Sequence, residues 1–461
     1  MDNLLTIKKI VEICKGELFS GDENLECISF TKDTRTLREG DVYIGIRGEK
    51  FDGNAFYQDA FSKGASAAIL EKNSFDRKYD GDRAIVLVED SIEALRLLGI
   101  FKRDNTPAHF VGVTGSVGKT STRDLIYSVV SESFKSLKTE GNFNNNIGLP
   151  LTLLRLQDEE AAVIEMGMNA LGEIDYLSRI TRPEIAVITN VGTAHIGELG
   201  SRENILKAKL EIMNGLVPDG KLVIDNDNDM LHSFYLKNKK NVVTVGIENE
   251  SDFMATDINM FTDRIEFDIQ YSGNKYPIVC PVPNKVFVYN CLIAFAVGTI
   301  LDIDVQKIKT GISSFKLTNN RSEIFKTNTG LTVIDDAYNA NADSMKAGIE
   351  TLKNVAADRK IAILGSMLEL GDFSEGLHRE VGKAVVANEI DLLLTVGEEA
   401  KNIGKGAIEN GMSESNIFSF EINEEAKKFL KGILVPSDTI LVKASHSLHF
   451  NEIIDFLKEE F

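Results

Sequence analysis

Between Val111 and Ser121 the chain reads VGVTGSVGKTS, a run whose residue types suit the cradling of a phosphate chain. Gly115 and Gly118 would let backbone N–H groups, including those of Ser116, Val117 and Ser121, turn inward on phosphate oxygens. Lys119 would neutralise the terminal phosphates, and Thr120 would offer its hydroxyl to a magnesium ion. The setting is the one such a loop needs: HFVGV before it is short and apolar, and TRDLIYSVV after it has helical spacing. The glycine usual five residues before the Gly of GKT is replaced by Val113, so the motif is the shorter TGxxGKT. An ordinary glycine-rich turn with a solvated lysine is the alternative. Gly-Lys-Thr between a strand and a helix argues against it and for a user of nucleoside triphosphates.

Other polar residues follow apolar strands in the same way. Glu165 closes AAVIEMG, where a carboxylate is costly to bury unless it is paired or bound to a cation, so a magnesium ligand or a lysine partner is expected. His195 lies on the glycine-rich NVGTAHIGELGS segment, open to a metal, to a phosphate or to neither. Lys209, in SRENILKAKLEIM, has Glu203, Lys207 and Glu211 at ion-pairing spacing, and from spacing alone it reads as a solvated helix residue. Asp335 and Asp336 end a further strand, and Tyr338, Asn339 and Asn341 form a polar turn suited to capping a helix or facing a nucleotide. Near the N-terminus, Asp33 to Arg35 and GEKFDG place Arg35 and Lys50 at turns as anion contacts.

These residues must be positioned by parallel sheets, because ligands of such sheets bind beyond the carboxyl ends of the strands. The chain opens with a helix capped near Thr6 and mixed short strands. From Phe110 it turns to strand-then-helix units (FVGV, AAVIEMG, IAVITNVG, KLVIDN, VVTVG), then to less regular strands between Met254 and Val282 and a helix around Asn290 to Leu301. After KLTNNRSEIF a second series begins, with LTVIDD, KIAILGS, DLLLTVGEE and DTILVKAS as strands. The reading is α/β in three domains: a mixed α/β unit over 1–103, a mainly parallel phosphate-loop unit over 104–316, and a Rossmann-like unit over 317–461. The segments at Thr114–Ser121, Glu165 and Asn190–His195 should then meet at one sheet edge.

A net charge of −19 disfavours nonspecific binding to nucleic acid or anionic membranes, so an anionic substrate must be met by local positive groups. Cys14, Cys27, Cys280 and Cys291 lack zinc or disulfide spacing, which fits a reducing cytoplasm. The longest uncharged run, Val286 to Leu301, is short of the ~18–20 apolar residues of a membrane span, and no targeting segment is expected.

Across essentially its whole length the chain resembles the Mur ligase family, ATP-dependent amide-forming enzymes of peptidoglycan precursor synthesis. TGSVGKTS looks like the family's ATP loop, VIEMG its metal-binding glutamate, NVGTAHIGELGS its histidine loop, and KAKLEI the segment whose lysine is carbamylated. Within the family, GNFNNNIGLPLTLL, DDAYNANADSM and LGSMLELGDFSEGLHREVG look most like the member that adds D-alanyl-D-alanine to UDP-N-acetylmuramoyl-tripeptide.

The resemblance implies ATP and magnesium as cofactors, with Thr120, Glu165, His195 and carbamylated Lys209 toward the metal and Lys119, Lys209 and His195 as the catalytic set. It further implies Asn290 at the adenine, Arg321 near the phosphates, and Asp335, Asp336, Tyr338 and Asn339 on ribose and base. Thr34, Arg35, Lys50, Phe51 and Asp52 would hold the UDP moiety, and Asn144, Asn145 and Asn146 would line the path to the reacting carboxylate. A cytoplasmic monomer is expected, as is large rigid-body motion of the domains. A relative adding a single amino acid is the nearest alternative, and an ATPase switch with no covalent product a more distant one. Two departures stand out: Val286 and Phe287 where relatives carry His-Asn, and Lys443, Ala444, Ser445, His446 where relatives tend to carry Lys-Gly-Ser-Arg.

Overall fold

The computed structural model describes residues 3–317, 323–355 and 357–461, which build three large sheets with helices against them and one small antiparallel pair, Leu5–Thr6 with Glu26–Cys27. In the first sheet, strands Phe30–Thr31, Val42–Ile44, Ala67–Glu71 and Ala84–Val88 lie parallel, and Glu17–Ser20 joins antiparallel at one edge. The opening helix, Ile7–Cys14, is capped where the sequence placed it: the Thr6 hydroxyl accepts from Lys9 N. Helix Ser91–Asp104, capped by Asp90, leads into the second sheet.

That sheet has nine strands. Strand β1 (His109–Thr114) runs into helix α1 (Lys119–Val130). It lies between β2 (Ala161–Glu165) and β3 (Ile185–Ile188), both parallel to it, in a register that sets Glu165 beside Val113 and Ile188 beside Thr114. All three strands are buried on both faces, which explains their unbroken apolar runs. Helix α2 (Arg202–Leu210) follows the loop after β3, and helix α3 (Val286–Ile300) is the long uncharged run, packed into the core of this unit. No helix among the described residues is long and apolar enough to cross a membrane.

The less regular strands read between Met254 and Val282 form an antiparallel meander of Phe253–Met260, Ile265–Tyr271 and Asn274–Cys280, with a register shift between Thr256 and Asn259. Its strands cover one side only, so Ile265, Phe267 and Ile269 alternate with polar residues and never form an apolar run. Two short edge strands, Ser136–Lys138 and Ile417–Phe420, escaped the sequence reading because each pairs on one side and buries little.

The third sheet holds β4 (Thr332–Asp335), Arg359–Gly365, Leu392–Val396, Ile417–Phe420 and β5 (Asp438–Lys443) in parallel, with Glu323–Lys326 antiparallel at the edge. Helix α4 (Ala342–Asn354) follows β4 and begins in a capping box between Asn341 and Ser344. One apolar cluster contains Ile196 and Leu199 from the loop after β3 together with Met367 and Leu370 of the third unit, so the two larger sheets are docked.

Candidate active site

The carboxyl ends of β1, β2 and β3 converge with the turn after β4 on a cleft of about 740 Å³. Its phosphate-loop wall is built by backbone conformation. Gly118, at φ 81°, occupies the left-handed region that a side chain would strain, and so turns the chain into α1. The loop is gripped from behind by the segment after β3. Asn190 Oδ1 accepts from Val117 N at 2.9 Å, its Nδ2 donates to Val117 O at 3.0 Å, and the Thr189 hydroxyl donates to the same carbonyl at 2.7 Å. Gly192 N donates to Ser116 Oγ at 2.9 Å, and Lys119 Nζ donates to Gly115 O at 2.8 Å.

Glu165, at the end of β2, is 2 % exposed. Its charged partner is an arginine and not the lysine of the alternative reading: Arg123 Nη1 lies 3.2 Å from Oε2. The same oxygen accepts from the Thr120 hydroxyl at 2.9 Å, and Oε1 accepts from Asn144 Nδ2 at 2.9 Å. Arg123 is shared with Asp124, which Lys138 also meets at 2.9 Å, so the carboxylate is buried inside a paired network. Among the described residues no three His, Cys, Asp or Glu side chains cluster as a self-sufficient metal site. The oxygens of Thr120 and Glu165 are nevertheless the hard donors magnesium takes, since that ion uses one or two protein oxygens and completes its shell with phosphates and water.

His195 has φ 61°, unusual for a residue with a side chain, and lies at the start of the short helix Ile196–Leu199. Its Nδ1 is 2.7 Å from Glu369 Oε2, close in distance but out of line for a ring N–H donor. The contact holds the Glu369 carboxyl below the usual range.

Lys209, read from spacing as solvated, is 1 % exposed. Burial and the nearby positive Lys119 push its ammonium well below the usual lysine range, favouring the neutral amine. The helix carries charge nearly all round, so periodicity showed no buried face.

Asn290, 4 % exposed, accepts from the Thr122 hydroxyl at 3.0 Å, and its Nδ2 has no partner among the described residues. Val286 and Phe287 line the cleft beside it. On the opposite wall Asp336 pairs with Lys443 at 2.5 Å, and Lys443 also donates to Asn339 O at 2.9 Å. Of the departing C-terminal residues, His446 N donates to Asn339 Oδ1 at 3.4 Å, and its ring lies 5.4 Å from that of Tyr338.

The cleft thus gathers Ser116 to Ser121, Asn144 to Asn146, Glu165, His195, Asn290, Asp336, Tyr338 and Asn339. Gly115 and Lys209 lie outside the cleft lining, Gly115 as the acceptor of Lys119 Nζ and Lys209 buried within reach of the Lys119 charge. Asp335 is also outside it, 1 % exposed with its carboxyl pushed up by burial. Thr34, Arg35, Lys50, Phe51 and Asp52 sit on loops of the first sheet, away from the cleft. There Arg35 pairs with Asp33 and holds it at about 2, and Asp52 accepts from Asn54 and Ser74. Arg321 lies outside the described residues. Sequence reasoning missed Arg123 and the clamp at Asn190; both carried a signal only in standing near an already suspected motif.

A strand-loop-helix phosphate cradle opposite a second α/β unit defines a nucleotide-dependent enzyme whose chemistry takes place between two domains. The chain belongs to the Mur ligase family: its middle-domain family matches residues 113–298, and its glutamate ligase domain family matches residues 320–446. A UDP-N-acetylmuramoyl-tripeptide–D-alanyl-D-alanine ligase from Bacillus subtilis is 37 % identical, with 98 % of each chain covered. The ligase of the same description from Escherichia coli is 33 % identical, over 99 % of this chain and 98 % of that one. Among solved structures, MurF from Acinetobacter baumannii superposes with a TM-score of 0.89 at 28 % identity, with 99 % of each chain covered. MurF ligase from Thermotoga maritima in complex with ADP gives 0.81 at 29 % identity, over 94 % of this chain and 97 % of that one.

Proposed function

We propose that this chain joins D-alanyl-D-alanine to UDP-N-acetylmuramoyl-tripeptide at the expense of ATP, releasing ADP and phosphate. It would act in peptidoglycan precursor synthesis, and so in wall growth, cell shape and division. The observation that carries the reading is an end-to-end likeness to ligases of that description, joined to a cleft in which the phosphate loop faces the turn after β4. A carboxylate does not react with an amine at neutral pH, because oxide is a poor leaving group. Phosphorylation converts that oxygen into phosphate, and the dipeptide amine then displaces it from the acyl phosphate.

In this reading the loop amides from Gly118 to Thr120 and the Lys119 ammonium stabilise charge on the γ-phosphoryl group in transit, while the Ser116 and Val117 amides, expected at the phosphates, are given instead to the carbonyl and side-chain oxygens of Asn190. Asn190 keeps the loop amides in place. Asn290, whose amide Nδ2 has no partner among the described residues, meets the base, and Asp336, Tyr338 and Asn339 meet the ribose side of the nucleotide. Asp335 supports that turn from within, and Arg321 completes the phosphate contacts. Asn144 to Asn146 border the approach of the tripeptide carboxylate, while Thr34, Arg35, Lys50, Phe51 and Asp52 hold the distant UDP end. Thr120, Glu165 and His195 would hold magnesium, with Lys209 supporting it as a carbamate. Bound there, the ion neutralises phosphate charge so that two anions can approach. A neutral, buried Lys209 amine is the form able to take up carbon dioxide.

The work divides among residues 1–103 for the UDP substrate, 104–316 for ATP and 317–461 for the dipeptide and part of the nucleotide. Closure of the three keeps water from the acyl phosphate. We place the enzyme in the cytoplasm as a monomer, where its nucleotide substrates occur.

The test is to incubate the protein with ATP, magnesium and UDP-N-acetylmuramoyl-tripeptide, with and without D-alanyl-D-alanine, following phosphate release and the mass of the UDP product. A dipeptide-dependent mass gain matched one for one by phosphate is expected. Gain with a single amino acid instead, or phosphate release with no gain, would overturn the assignment.

A further inference from the structure

The loop after β3 is held from two sides. Toward the nucleotide, Gly192 N meets Ser116 and Asn190 meets Val117. Toward the third unit, Asp343 in the first turn of α4 accepts with one oxygen, Oδ2, from both Thr193 N at 2.8 Å and the Thr193 hydroxyl at 3.0 Å. The fit leaves no slack, since a Cβ on Gly192 would stand 2.2 Å from that same oxygen. Farther along, Glu369 O accepts from Gly197 N at 3.1 Å and the Glu369 carboxylate faces His195. Both sides of this joint carry strained backbone, His195 at φ 61° and Glu369 at φ 64°, conformations that persist only where neighbours over-determine them.

We propose that Asp343 is a positioning residue that couples domain closure to the phosphate loop: its carboxylate captures Thr193 only when the third sheet has docked, and so sets His195 and the Ser116–Val117 turn for reaction. The two bonds it accepts are charge-assisted and directional, made by one carboxylate oxygen on one side of the domain joint and two donors of a single residue on the other. When the sheets part, Thr193 N, the Thr193 hydroxyl, Gly197 N and His195 lose their partners together, and the loop that grips Val117 loses its outer anchor. The proposal deepens the ligase reading and rests on it for its kinetic arm alone.

The experiment uses the full chain carrying Asp343→Ala, Asp343→Asn, Thr193→Val and the double variant Asp343→Ala/Thr193→Val. Melting curves establish folding. Steady-state kinetics separate kcat from KM, and small-angle scattering follows compaction on adding a non-hydrolysable ATP analogue with UDP-N-acetylmuramoyl-tripeptide.

Loss of charge-assisted bonds predicts kcat down about tenfold or more in Asp343→Ala, with KM for ATP changed less than about threefold, and a weakened compaction. Asp343→Asn should fall between, since its amide oxygen still accepts but without charge. The double variant should be no worse than Asp343→Ala, because both changes break one contact. Full kcat and full compaction in Asp343→Ala, or losses that simply add in the double variant, would overturn the proposal. Asp343 also favours the start of α4. If Asp343→Ala does not fold, Asp343→Asn and Thr193→Val decide together, the first removing the charge and the second one of the two donors: unchanged kcat and compaction in both refute the coupling. Absence of ligation in the unaltered protein would count against the proposed reaction, while compaction would still report on the latch.

Discussion

Asn190 is the point at which removing one side chain should reach the nucleotide without touching it. Its amide closes on both polar groups of the Val117 peptide, accepting from N at 2.9 Å and donating to O at 3.0 Å, so it acts as a short extra strand behind the phosphate loop. In Asn190→Ala both bonds are lost, at about 0.5–1.5 kcal/mol each. The cost is partly offset, because Val117 O keeps the Thr189 hydroxyl and Ser116 N keeps the backbone carbonyl of residue 190. The released Val117 N–H is half-buried and can meet water. A net loss of about 1–2 kcal/mol remains, which is roughly a five- to thirtyfold weaker nucleotide affinity.

Isothermal titration with ADP measures that loss directly, and a melting curve without nucleotide shows how much of it falls on stability instead. Asn190→Asp should bind worse than Asn190→Ala: it can still accept from Val117 N, but it cannot donate to Val117 O and it adds negative charge behind the phosphates. An affinity for ADP within twofold of the unaltered protein, in a folded Asn190→Ala, would refute the idea that this amide preorganises the loop. So would an Asn190→Asp variant that binds as well as the alanine.

Lys209→Met should melt at a higher temperature yet lose ligation, while Lys209→Ala should recover part of its activity when a short-chain carboxylate is added; full activity in the bare variants would remove the lysine from the mechanism. Because the folded state holds this lysine below its unfolded value, the unfolded chain binds the extra proton. Its contribution to stability therefore rises with pH toward about 10, and urea midpoints at pH 7 and 9 should converge between Lys209→Met and the unaltered protein. Asp225 has the opposite sign: burial raises its carboxyl to about 7, so the folded state holds the proton and stability falls as pH rises from about 4 to 7. Asp225→Asn should therefore gain in urea midpoint over the unaltered protein across that range and hold the gain above it, and a gap that does not change with pH would rule this out.

Much of the site was legible because its signals are local. A phosphate loop declares itself within eleven residues, since the strand, the φ-positive turn at Gly118 and the first turn of α1 follow one another directly in the chain. Parallel strands buried on both faces write themselves as apolar runs, so β1 to β5 were readable, and the chemistry-bearing residues at their carboxyl ends followed from strand direction. Lys209 was not readable by periodicity because α2 mixes charge around its whole circumference; only the resemblance to a known family singled it out. Charge count could not name the partner of Glu165 either, since lysines and arginines are both plentiful within reach of such a sheet.

What the amino-acid order determined by itself was therefore the kind of chemistry: a triphosphate cradle, a buried carboxylate, a histidine loop and a polar turn, each on a strand end. Which groups would touch was decided only in three dimensions. Arg123 meets Glu165 across 42 residues of chain, Asn190 clamps Val117 across 73, and Asp343 takes hold of Thr193 across 150. The physical reason is one of range. Backbone conformation and strand burial act within a few residues and leave a pattern in the chain, whereas a hydrogen bond between residues far apart in the chain depends on which strands lie side by side and how the cores dock, and leaves no local pattern at either end.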